Sequence, residues 1–329
     1  MLTLRFDMRT ADWAAPAAEL YAAAVDMCAW AEGRGVIVAV LSEHHGTDDG
    51  HLPTPMLLAA AIAAKTTTLA ILLAAVPIPL WDPVRLAEEI AVLDLLSKGR
   101  VGYAFGVGHR GEEYDHFGVD IHARGRLADE YLTLVRRLVV GDAVEHRGRR
   151  VRVTPACASE GGPPMMIAGG SRAAARRAGA HGLGFISQTN SPELKDFYEA
   201  QCRAHGHQPG AVQFPVPGAP TAVFVADDVD RAWAELGPHL LHDAVMAASY
   251  RPGDDSVASI TRADTVSALR ESGGPYRILT VDEAADFVRS GRPLPLHPLC
   301  GGVPPNVAWR YLELAVAANE RANQRDPGA

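Results

Sequence analysis

The sequence predicts an α/β chain of the (β/α)8 TIM-barrel class, and three observations carry that reading. Short apolar runs alternate with amphipathic helical patterns over almost the whole length, as expected of parallel βα units. Eight such runs fit within 329 residues, a length that suits one barrel with insertions. The unusual polar words, "SEHHGTDDGHLPTP", "GVGHRGEEY" and "GGSR" among them, directly follow apolar runs. A barrel collects its chemistry at those C-terminal strand ends. A doubly wound sheet is the alternative, which eight separated strands disfavour.

Strands are expected near 2–7 (LTLRFD), 36–41 (VIVAVL), 69–76 (LAILLAAV), 101–106 (VGYAFG), 165–168 (MMIA), 183–187 (LGFIS), 221–225 (TAVFV) and 294–299 (LPLHPL). The first helix, over 16–32, puts Leu20, Ala24, Met27, Cys28 and Ala31 on one face. Thr54-Pro55 and Asp82-Pro83 each read as a capping residue followed by a proline at the first helical position. After Asp82, the residues Leu86, Ile90 and Leu93 form an apolar stripe, and Gly99 is the stop. Ser191-Pro192 and Pro304-Pro305 open two later helices. The whole chain, 1–329, is expected to be one barrel domain with insertions near 141–160 and 249–293. The first insertion, "GDAVEHRGRRVRV", looks like a β-excursion, and the second holds a helix led by a Thr280/Glu283 capping box.

Composition narrows the function classes. A formal charge of −8 leaves no basic footprint for nucleic acid. Cys28, Cys157, Cys202 and Cys300 lie far apart without a CxxC pair, which suits a reduced compartment. The start, "MLTLRFDMRTADW", is charged where a secretion signal needs an apolar core. The most apolar stretch is interrupted by Lys65, threonines and prolines, so it reads as helix then strand and not as a membrane span. A cytoplasmic protein without a membrane partner is expected.

Glu43, His44 and His45 stand together after "GVIVAVL". Acid/base work or cofactor contact suits a histidine there; a metal centre and a purely structural polar rim are the alternatives. Metal is disfavoured, because adjacent residues leaving a strand point in different directions and do not share one ion naturally. Gly169, Gly170 and Ser171 run from a strand into a helix, where backbone N–H groups suit a phosphate, or where serine simply caps a tight turn. Arg110 offers a second anion contact or a solvated surface charge. "GVGHRG" matches G-x-G-x-x-G literally, but its strand is fourth in order and no apolar helix follows, so it is not read as a dinucleotide fingerprint. Asp7, Tyr103 and His239 are weaker substrate-side candidates, with strand-end or core packing the ordinary alternative for each.

The ordered words "EHHG", "LPTPMLLAAAIAAKTTTLAILLAAVPIPLWDPVRLAEEIAVLDLLSKGRV", "GVGHRGEEYDHFGVD", "GGSRAAARRAG" and "LHPLCGGVPPNVAWRYLEL" resemble the bacterial luciferase-like monooxygenase superfamily, from about residue 2 to 318. The resemblance implies a barrel that binds reduced FMN, or the deazaflavin F420, at the rim. It implies Glu43 near the flavin ring, His44 as the catalytic histidine with His45 in support, and a non-prolyl cis peptide at Ala74-Ala75 against the ring. It places the flavin phosphate at Gly170 and Ser171. It further implies a separate reductase that delivers the reduced flavin, O2 as co-substrate, oxygenation of a small organic molecule, and a homodimer. One departure stands out: Val107 lies where many flavin-using relatives carry an arginine, Arg110 is the nearest candidate, and His109 replaces a tyrosine. The alternatives are an F420-dependent hydride transfer without O2 and a flavin-binding protein without turnover.

Overall fold

The computed structural model describes residues 1–324 apart from 190, 217 and 255; Asn190, at the end of the rim word "SQTN", therefore lies outside the described residues. Strands appear at β1 Leu2–Phe6, β2 Val36–Leu41, β3 Ala70–Pro77, β4 Val101–Gly106, β5 Val144–His146, β6 Arg149–Val151, β7 Met165–Ala168, β8 Gly184–Ile186, β9 Val212–Gln213, β10 Ala222–Val225, β11 Tyr276–Leu279 and β12 Leu294–Leu296. All eight expected strand regions hold a strand. The hairpin β5/β6 is the expected excursion, antiparallel, and turns through positive φ at Arg147 and Gly148. The short strands β9 and β11 were not expected.

The chain forms two compact units. One comprises Met1–Val40, Thr47–Leu52 and Val216–Ala329, and the other Leu41–Gly46 and Pro53–Pro215. In the first, β11, β10, β12 and β1 are neighbours in that order and pair parallel. In the second, β3, β4, β7, β8 and β9 run parallel in chain order. Order without reversal is that of singly wound βα units; a doubly wound sheet reverses at its switch point. Parallel strands buried on both faces read as near-continuous apolar runs, and Leu2, Leu4 and Phe6 are each 0% exposed. Each such side chain contributes about 1.5–3 kcal/mol on burial.

Helices hold these strands in place. The helix Ala17–Ala31 buries Leu20, Ala24, Met27, Cys28 and Ala31 as its spacing requires. Asp82 caps the helix Pro83–Ser97 by accepting from the N–H groups of Val84 and Arg85. That helix ends at Lys98 in the left-handed region, followed by Gly99 at φ 77°. Thr280 and Glu283 complete a reciprocal capping box on the helix Val281–Arg289. Two caps differ from expectation. Thr54 makes no side-chain cap bond to the helix Pro55–Lys65, and the Ser191 hydroxyl donates to Glu193 rather than accepting from the backbone of Pro192–Ala204. In both, the N1 proline already removes one unsatisfied N–H and presets the first helical φ. Among the described residues, no helix is long and apolar enough to cross a membrane.

Candidate active site

The rim of the second unit is built on the loop that leaves β2. Glu43, 3% exposed, receives hydrogen bonds at Oε1 from His45 Nε2 and from Trp81 Nε1, each at 3.0 Å. Burial lifts its carboxyl above the ordinary value, against the lowering effect of those two donors. Its Oε2 is buried and has no hydrogen-bond partner among the described residues.

His44 is held differently. Its Nδ1–H donates to Glu113 Oε1 at 2.7 Å, while the backbone N–H of His45 donates to the same oxygen at 3.0 Å. Arg110 Nη1 reaches Glu113 Oε1 at 3.4 Å and the His45 carbonyl at 3.0 Å. Burial pushes the Glu113 carboxyl up, but the bonds from His44 and His45 and the Arg110 charge outweigh it and hold Glu113 below its ordinary value. The short helix Gly111–Phe117 carries Glu113, so "GHRGEEY" serves to bring a carboxylate under the histidine loop. Phe117 closes on the His45 ring at 4.7 Å between centroids. Nδ1 is thus committed to Glu113, and the His44 side chain is 22% exposed.

Small residues flank this loop. The Ala74-Ala75 peptide is cis, and the β3–β4 register shifts between Ala74 and Val76. A Cβ on Gly106 would meet the Ala75 Cβ at 3.3 Å and approach the Ala168 carbonyl. On the next turn, Gly169 has φ 155° and a Cβ on Gly170 would collide with Thr189 at 2.8 Å. Ser171 Oγ accepts from Ala174 N at 3.2 Å and so caps the helix Arg172–His181, which leaves its hydroxyl proton to donate.

The remaining expected residues are Tyr103, Asp7 and His239. Tyr103 is 0% exposed and stacks on Phe105 at 6.0 Å; its hydroxyl is buried without a hydrogen-bond partner among the described residues, and burial, with Cys157 and Asp94 nearby, pushes its pKa up. It sits in the middle of β4, packed on all sides. Asp7 and His239 belong to the first unit. Asp7 is 0% exposed, 3.3 Å from His297 Nε2. His239 Nδ1–H donates to the Gly301 carbonyl at 2.9 Å, and its ring lies 4.8 Å from that of Trp13. Sequence reasoning missed Glu113 and Trp81, although "GEEY" and "LWDP" flank words it had singled out.

Parallel βα units with histidine–carboxylate pairs at a strand-end rim define a barrel-type enzyme scaffold. The family profile described as luciferase-like monooxygenase matches residues 6–289, and the chain belongs to that family. It is 29% identical over 177 residues to the alkanal monooxygenase alpha chain of Photorhabdus luminescens, a match covering 51% of this chain and 49% of that one. The chain thus spans about half the length of the curated relatives it matches. Over 98% of its length it superposes on the monooxygenase RslO1 of Streptomyces bottropensis, all of which is covered, with a TM-score of 0.76 at 21% identity. It also superposes on the oxygenating constituent of 3,6-diketocamphane monooxygenase of Pseudomonas putida, a type II Baeyer-Villiger enzyme solved with FMN. That match has a TM-score of 0.67 at 16% identity and covers 100% and 99% of the two chains. The fold is the luciferase-like (β/α)8 type.

Proposed function

We propose that this chain is the oxygenase component of a two-component flavin monooxygenase, accepting reduced FMN from a separate reductase and using O2 to oxygenate a small organic substrate. The observation that carries this reading is the pair of hydrogen-bonded sets at one loop, His44–Glu113 and His45–Glu43–Trp81. The residues present fit a flat ring ligand. Glu43 Oε2 is a buried polar atom lacking a protein partner among the described residues, and Gly106 packs its bare backbone close to Ala75, where an added Cβ would meet the Ala75 Cβ at 3.3 Å. Glu43, Ala74 and Ala75 would meet the ring. Gly169, Gly170 and Ser171 would meet the phosphate through backbone N–H groups and a hydroxyl.

The chemistry that bound reduced FMN supplies is two-electron activation of O2. The protein residues position and exchange protons. Glu113 holds His44 in one tautomer, and His44 then gives or takes a proton at Nε2. His45 and Trp81 hold Glu43 at a fixed place. The burial of Glu43 and Glu113 keeps water from that side of the loop.

F420 is the second reading, favoured by Val107, which stands where many flavin-using relatives carry an arginine. Anaerobic titration of the protein with reduced FMN and with reduced F420 decides between them. Preferential FMN binding, together with reductase-dependent O2 uptake in the presence of substrate, supports the monooxygenase. Preferential F420 binding replaces it with hydride transfer, and binding of neither removes the site assignment.

A homodimer is part of the proposal. Leu57 (70% exposed), Val92 (47%) and Leu96 (57%) form an apolar strip on the helices Pro55–Lys65 and Pro83–Ser97. Arg85 and Glu88 border the same strip and pair with each other at 3.6 Å, so the strip carries no unbalanced charge against a second copy related by a two-fold. Sedimentation should report a dimer for the wild type and a monomer for Leu57→Glu. A monomeric wild type ends this part of the proposal.

A further inference from the structure

The first unit buries a second set of chemically versatile side chains. β1 and β12 run parallel with Leu4 opposite Leu296, and strand alternation puts Arg5, Asp7 and His297 on the other face from those leucines. Asp243, from the helix Val229–Ser249, and Cys300, at the start of the turn Cys300–Gly302, close on the same place. One side-chain ligand atom each from Asp243, His297 and Cys300 lie within 4.8 Å of one another. His297 and Cys300 are 0% exposed and Asp243 2%. Neither ring nitrogen of His297 makes a well-formed hydrogen bond among the described residues, nor does Asp243 Oδ1 or Asp7 Oδ2; the nearest approaches are ion-pair contacts, His297 Nε2 to Asp7 Oδ1 and Arg9 Nη1 to Asp243 Oδ1, each at 3.3 Å. Buried polar atoms are nearly always bonded, and each one left unbonded costs about 1–3 kcal/mol. Several such atoms around one point call for a ligand that satisfies them together.

We propose that Asp243, His297 and Cys300 form a structural site for one divalent d-block cation, with zinc the best fit and the fourth position taken by Asp7 or a water. The donor set selects the metal. Arg9 Nη1 lies 3.3 Å from Asp243 Oδ1, and Arg5 Nη2 lies 3.8 Å from Asp7 Oδ2, so both carboxylates already face positive charge. A hard ion that depends on carboxylate charge, Mg2+ or Ca2+, gains little there. A thiolate and an imidazole are the ligands that zinc and cobalt prefer. The Tyr276 hydroxyl donates to Asp243 Oδ2 at 2.6 Å, which assigns Oδ1 to the metal. Loading deprotonates the Cys300 thiol, with the proton passing to buffer, and ties the ends of β1 and β12 to the helix Val229–Ser249.

The test uses the full-length protein stripped with a chelator and titrated with Co2+. The expected result is a saturable thiolate-to-cobalt charge-transfer absorption at one cobalt per chain that Zn2+ displaces. Cys300→Ser should abolish the absorption and Cys157→Ser should keep it. His297→Gln should weaken Co2+ binding by about tenfold or more. X-ray absorption of the zinc-loaded wild type requires no variant that must fold, and should show one sulfur among nitrogen and oxygen scatterers. A folded wild type without the charge-transfer absorption overturns the site. So does an absorption that survives Cys300→Ser, or a zinc shell without sulfur.

Discussion

Two clusters of histidines and carboxylates, one in each compact unit, follow the ends of parallel strands and resolve the same problem in opposite ways. In the loop after β2, each imidazole has its own carboxylate: His44 has Glu113 at 2.7 Å and His45 has Glu43 at 3.0 Å. His44 keeps 22% of its side chain exposed, so a ring held by one carboxylate is not sealed from solvent. In the first unit, His297 and Asp7 are sealed at 1% and 0% side-chain exposure, and the nearest charges are Arg5 and Arg9. Those side chains are closed to solvent, and what they touch is one another. Residue type alone does not separate a working histidine from a structural one. Partner geometry and access do.

The largest expected effects separate the clusters by readout. Arg9 Nη1 is 3.3 Å from Asp243 Oδ1, Arg9 Nε donates to His51 Nδ1 at 2.9 Å, and Arg9 is 2% exposed. Arg9→Met strands Asp243 and Asp49 without their counter-charge and should cost about 3–5 kcal/mol, read as a lower denaturation midpoint. His44→Ala should do the reverse. General acid/base groups contribute roughly 10²–10⁴ in rate, so substrate-dependent O2 uptake should fall by about that factor, while stability changes by about 1 kcal/mol. Equal turnover in wild type and His44→Ala, with flavin bound in both, removes His44 from the chemistry.

Glu113→Gln is expected to be intermediate. Glu113 accepts from His44 Nδ1, from the His45 N–H and from Arg110, and losing the charged acceptor should cost about 1–3 kcal/mol at neutral pH. Its folded-state pKa lies below the ordinary 4.5. A depressed carboxylate stabilises the fold above its unfolded pKa, and that contribution is lost as pH falls through the folded value. The gap between wild type and Glu113→Gln should therefore close below pH 4.5. A gap that is constant with pH places the effect in packing. Turnover should fall as well, because His44 loses the charged acceptor that favours its Nδ1–H tautomer and its protonated ring.

Much of this was legible from sequence, for a physical reason. Strands buried on both faces leave continuous apolar runs, so all eight expected strand regions held a strand, while β9, two exposed residues, and β11, interrupted by Arg277, carry no such run. The rim words were visible because a barrel places them after strands. Their pairings were not: Glu113 stands 69 residues from His44 in the chain, and His297 meets Asp7 across almost the whole sequence. The surroundings of single residues were equally hidden: alternation along β4 puts Tyr103 on the same face as Phe105, and Arg110 reaches Glu113 three residues on.

Glu43→Gln sharpens the comparison within a single loop, with the smallest effect. Glutamine keeps an oxygen to accept from Trp81 Nε1 and His45 Nε2, so the fold should survive. Burial raises the Glu43 pKa above 4.5, so the folded chain holds this proton more tightly than the unfolded chain. Stability from that proton is fully present below the unfolded pKa and is lost as pH rises through the folded value, the opposite slope to Glu113. Glu43→Gln removes the titration and should gain about 1 kcal/mol or less on the wild type as pH rises from 4.5 to neutrality. Measured by denaturation from below pH 4.5 up to neutrality, opposite pH trends for Glu43→Gln and Glu113→Gln establish that neighbouring carboxylates are tuned apart, one toward the neutral acid and one toward the anion. Parallel trends mean that the two share one environment, and that Glu43 reaches its ring ligand as a carboxylate.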